Sequence, residues 1–168
     1  YWNSREKPED DDTLTPAESR APSLRTRSTD VEHLSHSHHP TSKIGILLVD
    51  DHAMVRQGLR SVLEHYDDVA VVGEASTGRE AIEFVERLRP AVIVMDINMP
   101  ETNGIDATVE IKARHPDVAV IGLSVHNTAE ARKAMLQAGA TTLLSKESAV
   151  DELYAAIRQA LADEGVPR

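Results

Sequence analysis

Cysteine is absent from this chain of 168 residues, which excludes disulfide bonds, thiolate nucleophiles and cysteine zinc sites. No apolar run approaches the roughly 18 residues that would indicate a membrane-spanning helix. Basic residues are scarce, since 18 Lys and Arg face 28 Asp and Glu. We therefore expect no direct contact of this chain with nucleic acid or membrane, because both need clustered positive charge. The lack of cysteine is typical of a reducing compartment, and we predict a cytoplasmic location.

The first quarter of the chain differs in composition from the rest. Residues 1–42 are rich in polar residues and Pro, and their few apolar residues follow no helical or strand period. This segment is predicted to be a disordered linker or an added tail, because it cannot bury enough apolar area to offset its ordering entropy. Its histidines, which are His33, His36, His38 and His39, are a candidate metal site. Without a carboxylate or Cys framework, the interpretation as solvated linker residues is favoured.

From residue 43 to about residue 165 the pattern predicts one folded domain in which apolar strands alternate with helices. The predicted strands are Ile44 to Val49, Val69 to Val72, Ala91 to Met95, Val118 to Leu123 and Thr141 to Leu144. Strands that are apolar throughout indicate a parallel sheet covered on both faces. The predicted fold class is α/β, a doubly wound (βα)5 three-layer sandwich of the flavodoxin-like type with strand order 2-1-3-4-5.

Polar residues follow several of these strands. They are Asp50, Asp51, Asp96, Ser124 and Lys146. Each has an ordinary structural interpretation as a helix cap, a turn residue or a surface charge. Together, however, they would meet at the carboxyl edge of the sheet, where ligand sites of such folds lie. Crowded carboxylates repel one another, and the usual compensation is a divalent cation with oxygen ligands, for which Mg²⁺ fits best.

The same residues have the chemistry that phosphoryl transfer needs. Asp96 is a candidate nucleophile, Lys146 a second cation and the Ser124 hydroxyl a hydrogen-bond donor. An alternative is a magnesium-dependent aspartyl phosphatase, because Asp96-Ile97-Asn98 is similar to the Asp-x-Asp motif of those enzymes. The amide of Asn98 cannot transfer protons near neutral pH, so this alternative is disfavoured and we predict no enzyme activity.

The motifs resemble the receiver domain of response regulators in two-component signalling. The resemblance rests on Asp50-Asp51-His52, on Met95 to Pro100 with Gly104, and on Ser124 and Lys146 in this order. It implies that Asp96 is phosphorylated, that Asp50, Asp51 and Asp96 hold Mg²⁺ with the backbone carbonyl of Asn98, and that Ser124 moves toward the phosphoryl group with Lys146 as its salt-bridge partner. The run from His52 to Leu59 further resembles the subgroup that is usually attached to a helix-turn-helix domain.

Two positions depart from the family pattern. Leu143 stands where the family often has an aromatic switch residue, and Glu147 stands where proline often follows the lysine. A leucine offers less differential packing between two states than an aromatic ring. We therefore expect phosphorylation to perturb the loops around Asn98 and Ser124 more than the exposed surface around Leu143.

The expected partner is a histidine kinase or a phosphotransfer domain that donates the phosphoryl group from a phosphohistidine, with the fourth helix as the responding element. A linker before the domain and an end at Arg168 favour the carboxyl-terminal receiver of a hybrid histidine kinase. The alternative is a truncated receiver of a DNA-binding transcriptional regulator. A homodimer is a further expectation for this fragment.

Overall fold

The structure, a computed structural model, describes residues 42–163. The linker predicted for residues 1–42, with its histidines, lies outside the described residues except for residue 42 itself. Within the described part, no helix combines the length and the apolar character needed to span a membrane.

Strands and helices alternate along the chain as predicted. The strands are β1 Ile44–Val49, β2 Val69–Ala75, β3 Val92–Asp96, β4 Ala119–Ser124 and β5 Thr142–Ser145. The helices are α1 Ala53–Leu63, α2 Gly78–Leu88, α3 Gly104–Arg114, α4 Ala129–Gln137 and α5 Ala149–Asp163. The largest deviation from the predicted strands is in β2, which continues to Ala75 rather than ending at Val72.

The strands form one parallel sheet in the predicted order β2-β1-β3-β4-β5. Residues of the inner strand β1 alternate between two apolar clusters, with Leu47 and Val49 on one face and Ile46 and Leu48 on the other. Buried residues of α2, α3 and α4 cover the first face, and those of α1 and α5 cover the second. Burial on both faces explains why the strand lacks polar alternation, and it confirms the three-layer sandwich.

Most helices of the carboxyl edge begin with a side-chain cap. Thr77, Asn103 and Thr128 accept hydrogen bonds from the backbone N–H groups of Glu80, Asp106 and Ala131 at the starts of α2, α3 and α4. His52 is the residue before α1, and its side chain makes no cap bond within the part of the chain that the structure describes. The start of α1 therefore departs from the local capping rule, and it does so beside the predicted site.

Candidate functional site

Side chains from the ends of β1, β3 and β5 meet at the carboxyl edge of the sheet. The Lys146 Nζ atom lies 2.6 Å from Asp50 Oδ2 and 3.0 Å from Asp96 Oδ2. The backbone N–H of Lys146 donates to the Ser124 carbonyl at 2.8 Å, which fixes the lysine beside the end of β4. The structure therefore brings together Asp50, Asp96 and Lys146 as the sequence predicted, because parallel strands in this order end side by side.

Asp51 and His52 complete the group on its other side. His52 Nδ1 lies 2.9 Å from Asp51 Oδ1 and 3.3 Å from Asp50 Oδ1, and the His52 backbone N–H donates to Asp50 Oδ1 at 2.8 Å. One ligand atom from each of Asp50, Asp51, His52 and Asp96 lies within 4.8 Å of all the others. No role was predicted for His52 from the sequence, although histidine is a common metal ligand.

The carboxylates at this edge are buried and incompletely satisfied. The side chains of Asp50 and Asp96 are each 1% exposed. Among the described residues, Asp50 Oδ2, Asp51 Oδ1 and Asp96 Oδ2 accept no well-directed hydrogen bond, although Lys146 or His52 lies close to each. Buried oxygens with negative charge and unused acceptor capacity fit a hard divalent cation. Asp50, Asp51 and Asp96 are therefore suited to hold Mg²⁺.

The ionisation of Asp96 is opposed by its surroundings. Burial raises the pKa of this carboxyl above its ordinary value, and the neighbouring charge of Asp50 acts in the same direction. The Asn98 backbone N–H, which donates to Asp96 Oδ1 at 3.1 Å, and the Lys146 ammonium act against this rise without cancelling it. Additional positive charge at this edge would thus stabilise the carboxylate form that a nucleophile needs.

For the pKa of Lys146, the effect of burial is outweighed by contacts with neighbouring charges, the reverse of the balance at Asp96. Burial alone would lower the pKa of Lys146, but the contacts with Asp50 and Asp96 outweigh it, and the pKa is raised above the ordinary value. The side chain is therefore a positive charge held between two buried carboxylates.

The loop after Asp96 is held close to the strand end. A Cβ atom at Gly104 would collide with the backbone carbonyl oxygen of Asp96, so only glycine permits α3 to begin here. The Gly104 N–H donates to the Ile97 carbonyl at 3.2 Å. Glu101 in the same loop has a φ of 67°, in the left-handed region that is unusual for a residue other than glycine. The end of β3 at Asp96 is thus followed by a tightly constrained turn.

Ser124 and Leu143, the two predicted switch residues, are both buried. The Ser124 Oγ atom donates to the His126 carbonyl at 2.8 Å and accepts from the His126 N–H at 3.1 Å, so the hydroxyl is engaged within its own loop. The Leu143 side chain is fully buried and contacts the helix α4 side of the core with Met135. The β4–β5 pair places Leu143 opposite Gly122, where the missing side chain leaves room for it. The expected weak response of the surface around Leu143 to phosphorylation stays a prediction.

The backbone of Leu143 links β5 to α4. Its carbonyl accepts from Arg132 Nη2 at 2.9 Å and from Asn127 Nδ2 at 3.4 Å. These two donors connect α4 and the loop before it to the edge strand β5. Neither Arg132 nor Asn127 was predicted from the sequence. Their hydrogen bonds to the Leu143 carbonyl depend on where α4 packs, and no local sequence pattern indicates that.

Comparison with known proteins identifies the family. The family model of the response regulator receiver domain matches residues 46–158, which is more than half of the chain. The transcriptional regulatory protein DegU of Brevibacillus brevis is 39% identical over 117 residues, covering 70% of this chain and 50% of that protein. The response regulator UvrY of Escherichia coli K12 is 42% identical over 115 residues, covering 68% of this chain and 53% of that protein. The chain thus spans about half the length of these curated relatives.

Solved structures give the same result. The response regulator domain of Thermotoga maritima CheB is similar with a TM-score of 0.67 and 34% identity, covering 71% of this chain and 97% of that one. A two-component response regulator of the LuxR family from Aurantimonas has a TM-score of 0.65 and 30% identity, covering 75% of this chain and all of that one. With the fold, the strand-end residues and these matches in agreement, the chain belongs to the response regulator receiver domain family of two-component systems.

Proposed function

We propose that this receiver domain accepts a phosphoryl group on Asp96 from the phosphohistidine of a histidine kinase or phosphotransfer domain, with Mg²⁺ as cofactor. The single observation that carries the proposal is the buried Asp96 carboxylate, which lies 3.0 Å from Lys146 Nζ and within 4.8 Å of the other acidic ligands at the strand ends. A buried carboxylate with a raised pKa, a fixed cation and unused acceptor oxygens is typical of a reactive site.

In the proposed reaction a carboxylate oxygen of Asp96 attacks the phosphorus atom. A P–O bond forms as the P–N bond to the donor imidazole breaks, and the electron pair and a proton from solvent go to the departing histidine. Lys146 stabilises negative charge on the transferred group and is anchored for this by Asp50 at 2.6 Å. Bound Mg²⁺ would supply further positive charge there, held by Asp50, Asp51, Asp96 and the backbone carbonyl of Asn98.

The response to phosphorylation would begin at Ser124. For its hydroxyl to reach the phosphoryl group, the bond from Ser124 Oγ to the His126 carbonyl must be exchanged for one to a phosphoryl oxygen. The loop that contains His126 and Asn127 leads directly into α4, which is tied to β5 through Arg132 and the Leu143 carbonyl. We propose that α4 and its flanking loops are the element whose equilibrium shifts.

For the protein as a whole, we propose a DNA-binding transcriptional regulator rather than a hybrid histidine kinase. The similarity to a protein named a transcriptional regulatory protein and to a LuxR-family regulator supports this alternative better than the kinase expectation. In such a regulator the nucleic acid would be bound by another domain, in line with the formal charge of -10 of this chain. A cytoplasmic location and a homodimeric state are part of the same proposal.

Phosphatase activity toward small esters is not part of the proposal. The residue two positions after Asp96 is Asn98, whose side chain cannot serve as the general acid and base. The receiver would accept a phosphoryl group from its donor and would not turn over a chromogenic phosphate ester.

The test is labelling of the full chain by acetyl phosphate with Mg²⁺, followed by intact-mass measurement. We expect one added phosphoryl group for the unchanged chain and none for Asp96→Asn, because an amide is not a nucleophile. Asp68→Asn is a matched control, since Asp68 directly precedes β2, pairs with Arg158 and lies outside the site. Undiminished labelling of Asp96→Asn would remove Asp96 from the mechanism. The reading frame around this segment tests the parent, since a kinase domain upstream would overturn the transcriptional regulator.

A further inference from the structure

His52 belongs to the acidic group but is not a carboxylate. Its Nδ1 atom lies 2.9 Å from Asp51 Oδ1 and 3.3 Å from Asp50 Oδ1, so the ring points back at the strand end although 65% of the side chain is exposed. Exposure of this kind would let the ring turn to solvent, and its position at the start of α1 would let it cap the helix. Within the described residues it makes no cap bond and faces the two carboxylates instead.

The spacing of these atoms suits metal ligation. Neighbouring ligands around an ion with bonds of about 2.1 Å lie roughly 3.0 Å apart in an octahedron and roughly 3.4 Å apart in a tetrahedron. The separations of His52 Nδ1 from Asp51 Oδ1 and Asp50 Oδ1, 2.9 and 3.3 Å, fall close to these values. One ligand atom from each of Asp50, Asp51, His52 and Asp96 lies within 4.8 Å of the other three, so one ion can contact several of them.

A second observation, besides the clustering, is that carboxylate oxygens of this site lack a well-directed hydrogen bond from the described residues. The buried Oδ2 atoms of Asp50 and Asp96 face Lys146, whereas the oxygen on the His52 side that accepts no well-directed hydrogen bond from the described residues is Asp51 Oδ1. Lys146 approaches Asp50 through Oδ2, whereas His52 approaches through Oδ1. The lysine and the histidine therefore occupy opposite oxygens of the same carboxylate, and the side with His52 offers one nitrogen with two oxygens, Asp50 Oδ1 and Asp51 Oδ1.

A donor set of this composition distinguishes metals. Mg²⁺ is a hard ion that prefers oxygen and dehydrates reluctantly, so an imidazole adds little to its binding. Zn²⁺ is borderline in softness and takes nitrogen and carboxylate oxygen together, with imidazole among its commonest ligands. His52 should therefore strengthen Zn²⁺ binding at this site while leaving Mg²⁺ binding nearly unchanged.

We propose that His52 is a ligand for Zn²⁺ at the carboxyl edge of the sheet, which makes the site a mixed nitrogen and oxygen centre where Zn²⁺ competes with Mg²⁺. The inference rests on the proposed function in that both ions share Asp50 and Asp51. It adds a residue and a metal class to that function. The expected consequence is that Zn²⁺ lowers phosphoryl acceptance by displacing the Mg²⁺ that supports it.

The experiment uses the full chain with His33, His36, His38 and His39 replaced by Gln, so that the segment before the domain cannot contribute imidazole ligands. Zn²⁺ and Mg²⁺ affinities are measured by titration calorimetry for this background, for the same background with His52→Gln, and with His65→Gln. His65 is a matched control, because it is an exposed histidine that lies just after α1, with its Nδ1 atom 2.7 Å from the Ser61 carbonyl. Long-range ¹H–¹⁵N spectra of the imidazole rings report directly whether Zn²⁺ reaches His52.

We expect His52→Gln to weaken Zn²⁺ binding about tenfold or more and Mg²⁺ binding less than about twofold, with a large Zn²⁺-induced shift of the His52 ring nitrogen. His65→Gln should change neither affinity. Unchanged Zn²⁺ affinity in His52→Gln, or a ring signal that does not move with Zn²⁺, would overturn the inference. Equal loss for both ions would also overturn it, because His52 would then act by positioning the carboxylates. Failure of Mg²⁺ to bind the background chain at all would instead contradict the proposed function.

Discussion

At the carboxyl end of the sheet Asp50 and Asp96 share the ammonium of Lys146, whereas at the amino end Asp68 contacts Arg158 and Tyr154. The first cluster is buried and includes carboxylate oxygens without a well-directed hydrogen bond from the described residues. In the second, the side chains of Asp68 and Arg158 are 41% and 39% exposed and lie 2.9 Å apart. The Tyr154 hydroxyl donates to both Asp68 oxygens, at 3.0 and 3.2 Å.

The two clusters contain similar residues but differ in how fully their carboxylates are satisfied. The Asp68 cluster is satisfied by its own neighbours and is further supported by Tyr66, whose ring stacks on Tyr154 with centroids 3.7 Å apart. The cluster of Asp50, Asp51 and Asp96 keeps an excess of negative charge in a buried place, which is unfavourable until a cation or phosphoryl chemistry uses it. The poorly satisfied, buried cluster is therefore the candidate functional end of this sheet, and the satisfied cluster has a structural role.

The backbone at the functional end should tolerate change least. Gly104→Ala is expected to lower the free energy of unfolding by about 2 kcal/mol, because the added Cβ meets the Asp96 carbonyl and must displace the start of α3. Urea unfolding measures this, and acetyl phosphate labelling should fall in parallel. Gly58→Ala is the control, since a Cβ there meets nothing within 4 Å in helix α1 and should raise stability by about 0.5 kcal/mol or more. Equal effects of the two changes would contradict the close approach at Gly104.

Mg²⁺ should stabilise the fold through the cluster at the carboxyl end of the sheet, and this stabilisation should not depend on Asp68 at the amino end. At a Mg²⁺ concentration about ten times its Kd, the unchanged chain should gain about 1.4 kcal/mol in free energy of unfolding. Asp51→Ala should lose most of this gain because a ligand is missing, while Asp68→Ala should keep it. Urea titrations with and without Mg²⁺ decide between these outcomes. Deletion of residues 1–40 should leave the gain intact, and a loss as large as that of Asp51→Ala would move the metal site out of the sheet edge.

Neutralising one aspartate at each end should change stability in opposite directions when no metal is present. Asp96→Asn should raise the free energy of unfolding by about 1 kcal/mol, because it removes a buried charge that Asp50 repels. Asp68→Asn should lower it by about 0.5 kcal/mol, because Arg158 and Tyr154 lose an ionised partner at an exposed site. The measurement is urea unfolding in the presence of a chelator. A destabilised Asp96→Asn would show that Lys146 compensates the buried charge more fully than the contacts indicate.

The smallest effect concerns Glu74 on strand β2, which is satisfied by two arginines of α1. Its hydrogen bonds to Arg60 and Arg56 lower the pKa of Glu74 below the ordinary 4.5, although burial opposes them. A lowered folded-state pKa contributes stability that is present above pH 4.5 and lost as the pH falls below it. Glu74→Gln should therefore flatten the decline of stability on the acid side by a few tenths of a kcal/mol. Stability measured from pH 6 to about pH 3 checks the slope, and an unchanged slope would show that the pairs contribute nothing net.

The strands were predictable to within a residue wherever both faces are buried. In the centre of the sheet the prediction for β3 began at Ala91 and the strand begins at Val92, since its first four residues all lie in the two apolar clusters. The prediction for β2 ended three residues early, because Gly73 and Glu74 do not resemble a strand locally. Glu74 is tolerated in β2 because this is an edge strand whose side chain meets Arg56 and Arg60 of α1.

By itself the sequence determined the fold class, because apolar strands alternating with helices predict a parallel sheet covered on both faces. It also predicted that Asp50, Asp51, Asp96 and Lys146 lie together, because polar strand ends meet at the carboxyl edge of such a sheet, and the strand order agreed with the family resemblance. Only the tertiary structure decided that His52 faces the carboxylates instead of capping α1, that Ser124 is engaged with His126, and that Leu143 is buried opposite Gly122. These outcomes depend on how elements distant in sequence pack together. A side chain's partner is chosen by that packing and by the electrostatic cost of burial, and no local spacing encodes either.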